Sequence, residues 1–151
     1  MADRMAASIE IGGKIKNELL DEFIALASEY GTDDWSAGAN KKYVMEAINN
    51  KKPLVLSDPE VAWGEFTDIE AFCKEHRLSF KRHASPKYEY EGEIHYYVPE
   101  KGLFTIGATD DKTPYLKDYE LRKLQEQGGS LETVMGIIDN FLTKIPPLEL
   151  E

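Results

Sequence analysis

The chain has 151 residues, 42% of them hydrophobic and 30% charged, which suffices for one domain with its own core. Its net charge of −10 argues against broad nucleic-acid binding, which needs a basic field to neutralise phosphates. No apolar run approaches the roughly 18 residues of a membrane helix, and MADRMAASIEIGG lacks the apolar centre of a secretory signal. The reading is a single domain over residues 1–151, placed in the cytoplasm and free of membranes.

In chain order, Ile9 and Ile11 alternate in a first strand over 8–11, and Gly12-Gly13 reads as a turn. Ile15, Leu19, Phe23, Leu26 and Tyr30 follow helical spacing, and Gly31 stops them. The polar stretch 32–40 is a loop; its adjacent Asp33 and Asp34 are a solvated turn rather than a cation site, which needs several converging ligands. A short helix over 41–50 points Tyr43, Val44, Ala47 and Ile48 inward. Leu54-Val55-Leu56 is a buried strand, and Ser57-Asp58-Pro59 turns the chain away.

Thr67 and Glu70 have the spacing of a capping box, opening a helix with Ile69, Phe72, Cys73 and His76 along one face. Leu78 to His83 alternates as a strand, and a second is expected over about 88–98. Pro99-Glu100-Lys101-Gly102 is a hairpin turn into a third strand over 103–107. Thr113-Pro114 starts a helix that Gly128-Gly129 ends, since Pro suits the first helical position. Ser130 caps a last helix with Leu131, Val134, Met135, Ile138, Phe141 and Leu142 on one stripe. Pro146-Pro147 terminates it, and Leu150-Glu151 carries no weight.

This order of parts is α+β: a mixed sheet of about five strands with a central antiparallel hairpin region and helices mainly on one face. The open face is expected to carry Lys81, His83, Glu89, His95 and Tyr97.

Residues 74–97 concentrate the chemistry. All three histidines and four of the eight tyrosines lie there. Residues 74–87 hold five Lys/Arg against one Glu, so the remainder carries −14. Tyr and Arg are enriched at binding hot spots. Lys81, Arg82, His83, Tyr88, Tyr90, His95 and Tyr97 are therefore the candidate binding residues, set against ordinary packing of tyrosines across strands.

The strong catalytic signatures are absent. There is no GxGxxG, P-loop, HExxH, CxxC, GxSxG or EF-hand loop, and Gly12-Gly13-Lys14 lacks the rest of a phosphate loop. No metal or cofactor is called for. His76 faces the core, which leaves too few ligands around His83 and His95 for a zinc centre. Cys73, the lone cysteine, reads as a small core residue rather than a nucleophile.

SIEIGGKI, GEFTDIEAFCKEHRLSFKRHASPKYEYEGEIHYYVPEKG and the closing helix with PPLE resemble a family of small proteins carried by bacteriophages and other bacterial mobile elements. That resemblance implies an accessory role in a bacterial cytoplasm, modulating a host or phage nucleoprotein, and brings no catalytic residues. The expected function is thus a non-enzymatic protein that binds a protein partner through an acidic and Tyr/His-rich surface. Two alternatives stand beside it. One is a small hydrolase using His83 and His95 with a nearby Glu. The other is a single-stranded nucleic-acid module stacking bases on the tyrosines, which Glu89, Glu91 and Glu93 oppose by charge.

Overall fold

The computed structural model describes residues 4–36, 38–87 and 90–151. Strand β1 (Arg4–Ile15) is its spine. It pairs antiparallel with β2 (Leu54–Ala62) on one side and β3 (Ser79–Ala84) on the other. The sheet continues through β4 (Glu93–Val98), β5 (Gly102–Ala108) and β6 (Pro114–Tyr115), all antiparallel. β7 (Leu148–Leu150) joins β1 in parallel, which makes the sheet mixed. The α+β architecture and the central hairpin, β4 to β5 through Pro99–Gly102, are as the sequence predicts.

Three helices cover one face over β2, β1 and β3: α1 (Leu20–Ala27), α2 (Lys41–Asn49) and α3 (Thr67–Glu75). Ile9, Ile11, Leu54, Leu56 and Phe80 meet Phe23, Val44, Ile69 and Phe72 there in the larger core. Two more helices follow the sheet, α4 (Asp118–Glu126) and α5 (Leu131–Leu142). The second core lies on the opposite face, where Ile94, Tyr96, Ile106 and Ala108 meet Phe141 and Ile145. No described helix is long and apolar enough to cross a membrane.

Several local readings change. Gly12-Gly13 is inside β1, not a turn. A Cβ on Gly12 would overlap the Pro146 carbonyl oxygen, so glycine there admits a close backbone approach. Ile15 ends β1, and the following helix begins only at Leu20, after a 3₁₀ turn at Asn17–Leu19. Ser57-Asp58-Pro59 continues β2 through a bulge; Pro59 is tolerated because β2 is an edge strand. Thr113-Pro114 opens no helix: Pro114 and Tyr115 form β6, and α4 starts at Asp118. Leu150, given no weight, belongs to β7, and Leu148 in the same strand is fully buried.

The cap of α3 is shifted by one residue: Phe66 is its N-cap, and Glu70 Oε2 accepts from the Phe66 N–H at 2.6 Å. Of the α5 stripe, only Phe141 is buried; Ser130 caps that helix as expected, accepting from the Thr133 N–H. β4 starts at Glu93 rather than at 88. Tyr88 and Glu89 lie outside the described residues.

Candidate functional site

The β3–β4 register decides how the candidate residues group. Arg82 stands opposite His95, Lys81 opposite Tyr96, and His83 opposite Ile94. Residues directly opposite share a face, and neighbours alternate. Arg82, His95 and Tyr97 therefore lie on the α1–α3 face, and Lys81 and His83 on the α5 face. The expected common face for Lys81, His83, His95 and Tyr97 does not form.

On the first face, Arg82 is buried. Its Nε lies 3.0 Å from Glu70 Oε2, and one terminal nitrogen donates to the Gly64 carbonyl at 3.0 Å. The Nε–H is not aimed at the carboxylate, so that contact is an ion pair without hydrogen-bond alignment. Burial, with the charges of Arg82 and then Lys74, pushes His95 down to about 4. The ring is neutral near pH 7. Its Nε2 is 3.4 Å from Glu93 Oε2, and its Nδ1 is 2.9 Å from the Thr105 hydroxyl. Tyr97 stacks on Phe80, with centroids 5.4 Å apart. These three residues are fixed by packing and do not assemble as a contact patch.

On the second face, Lys81 and His83 line a cleft of about 190 Å³ with Ser8, Glu10, Lys112 and Phe141. Ser8 is paired with His83 across β1 and β3, and Glu10 with Lys81. His83 Nε2 donates to the Thr109 carbonyl at 2.9 Å, which leaves Nδ1 as the ring's acceptor. Burial holds His83 below the ordinary histidine range. Lys81 Nζ donates to the Thr143 carbonyl and lies 5.2 Å from the Tyr96 ring centroid; burial lowers its pKa too. Ser8 and His83 share the cleft, yet no hydrogen bond joins them among the described residues, so no nucleophile–base pair is assembled. His83 and His95, the pair the hydrolase alternative requires, point to opposite faces.

Tyr90 is separate from both groups. It meets Trp63 edge-on, with centroids 5.9 Å apart, on the loop between β3 and β4. With Arg82 buried and Tyr97 packed on Phe80, the described candidate aromatics and cations form no continuous stacking platform, and Tyr88 lies outside the described residues. Cys73 is buried, and burial pushes its thiol well above the usual value. No group of three His, Cys, Asp or Glu able to hold a metal occurs among the described residues.

The most exposed apolar surface lies elsewhere, on the helix pair that follows β6. Leu131 is 75% exposed, Leu142 57% and Met135 48%. A groove of about 640 Å³ runs between α4 and α5, lined by Leu121, Leu124, Leu131 and Val134 together with Asp118 and Arg122. Sequence reasoning placed six α5 residues on one apolar stripe and did not single it out as exposed. The signal was its width: α5 carries Ile137 besides the six apolar stripe residues, more than one core-facing side needs.

No family model, curated protein or solved structure matches this chain.

Proposed function

We propose that the protein is a non-enzymatic binding protein that receives a basic amphipathic helix of a protein partner in the α4–α5 groove. The observation carrying this is the groove's apolar lining, with Leu121 and Leu131 exposed, on a helix pair with an acidic balance. Contiguous exposed apolar side chains mark interaction sites, whereas single ones do not. Between residues 118 and 142 the chain holds five carboxylates against Arg122 and Lys123. A helix laying an apolar stripe into the groove would bring basic flanks against that acidic balance. A nucleic-acid-handling protein is a natural source of such a helix. The phage or mobile-element setting rests on the sequence resemblance alone.

The test is a titration of isotope-labelled protein with a Leu/Lys amphipathic peptide of about 18 residues, long enough to form a helix. Its Leu/Glu counterpart serves as the control. Amide shifts concentrated at Leu121, Leu124, Leu131 and Val134 with the basic peptide support the reading. Equal response to both peptides, or shifts centred on the sheet, would sink it.

A further inference from the structure

Residues 102–109, GLFTIGAT, form the longest stretch of this chain without an Asp, Glu, Lys or Arg. They include β5, and most of β5 is a sheet edge. β6 pairs only with Gly107 and Ala108, so Gly102 to Ile106 have β4 on one side and no strand on the other. Edge strands usually carry charge, proline or a cover that blocks further pairing. β2, the opposite edge, has Asp58, Pro59 and Glu60, and Ser57 is bridged by Gly31. Between 102 and 106 β5 carries no charge and no proline, and the segment after β6 approaches it at Thr105 and Ile106 across a groove shared with Leu116, Tyr119, Glu120 and Lys123.

The backbone direction of β5 follows from two hydrogen bonds. The Ala108 N–H donates to Gly92 O at 2.9 Å, toward the β4 side, and the Thr109 N–H donates to Thr113 O at 3.0 Å, toward β6. Backbone groups alternate along a strand, so even-numbered residues turn to β4 and odd-numbered ones outward. Leu103 and Thr105 thus each present an N–H and a C=O beyond the sheet. Both side chains are exposed. Beside this edge a groove of about 700 Å³ lies between β5 and α5, and none of its eight lining residues, Phe104, Thr133, Gly136 and Ile137 among them, is charged.

We infer that this edge pairs with the same edge of a second copy, antiparallel about a two-fold axis at Phe104. The geometry is self-complementary. Leu103 of each copy faces Thr105 of the other, and each such pair exchanges two hydrogen bonds, so all four outward groups of each copy are satisfied. The two Phe104 residues then meet as the close, non-hydrogen-bonded pair, beside the grooves against α5. The self-complementary pairing selects the second copy, and charge locates the contact: two molecules of −10 repel over most of their surfaces and approach at least cost where the stretch itself carries no charge. This surface is distinct from the α4–α5 groove, and the inference does not depend on partner binding there.

The test is analytical ultracentrifugation of the full chain from about 5 to 200 µM, a range that spans ordinary weak dimers, with amide hydrogen exchange at both ends of the range. Expected is a species of twice the 17.1 kDa chain mass, with the Leu103 and Thr105 amides protected only when concentrated. Leu103→Lys and Thr105→Lys, both at exposed positions, should weaken association roughly 30-fold, while Leu131→Lys should leave it unchanged. A wild type that stays monomeric at the top concentration overturns the inference. So does a dimer in which those two amides exchange freely, or one that both lysine variants leave intact. None of these results bears on the peptide titration, so the two readings fail separately.

Discussion

Arg82 on β3 and Glu70 on α3 form an ion pair of 3.0 Å in which only 5% and 10% of the side chains are exposed. Glu70 also caps α3 through the Phe66 N–H, so one carboxylate ties the helix start to the sheet. Removing one partner leaves the other charge buried without compensation, which costs about 3–5 kcal/mol. Glu70→Gln should therefore lower stability to urea by about 3 kcal/mol. The double variant Glu70→Leu, Arg82→Met should lose less than the two single losses combined. Additive losses in a double-mutant cycle would show that the pair is not coupled.

His95 makes stability pH-dependent. Its folded value of about 4 lies below the ordinary 6.5, so between these values the unfolded chain binds the extra proton. Stability attributable to His95 is full above about pH 6.5 and falls as pH drops toward 4. The whole shift corresponds to about 3 kcal/mol, and partial exposure reduces that to about 1–2 kcal/mol. Urea midpoints at pH 7 and 4.5 should differ more in the wild type than in His95→Gln. An identical drop in both would assign the dependence to other groups.

Gly12→Ala should destabilise by about 2 kcal/mol, because the new methyl group must displace the Pro146 carbonyl. The displacement should be felt at β7. The Glu151 N–H, which donates to Ile15 O at 2.8 Å, should lose hydrogen-exchange protection. A variant with normal stability and a protected Glu151 amide would refute the close-approach account.

Cys73 should be inert in the folded protein. It has no exposed surface, and burial disfavours its thiolate. An aromatic disulfide reagent should label it at least about 100-fold more slowly than free cysteine, with full reactivity in urea. Rapid labelling under native conditions would contradict its placement beside Phe72.

The hairpin, α3 and the capped α5 were readable because local chemistry specified each: turn residues, helical spacing, a serine cap. The misreadings share another cause. Gly12-Gly13 carries a local turn signal, but its reason is Pro146, far along the chain. Pro114 suits the start of a strand as well as that of a helix, and only β5 beside it decides. The site strip failed on facing. Arg82 looks like a surface cation until Glu70 supplies its partner, and the position of His95 on the Arg82 face follows from a strand register that alternation alone does not set. The outward groups of Leu103 and Thr105 were equally illegible, since they depend on where β6 stops.

The parallel pairing of β7 with β1 joins Gly13 to Leu148, residues 135 positions apart. Closing so long a loop costs entropy before any contact repays it, and sheets built from distant pairings fold slowly, in about milliseconds to seconds. On the ribosome, β2 and β3 can flank residues 4–12 of β1 once residue 84 has emerged, whereas Gly13 to Ile15 must wait for Leu148 to Leu150. Ile15, buried in the finished fold beside β7, is therefore the part of β1 whose apolar side chain stays uncovered longest during synthesis.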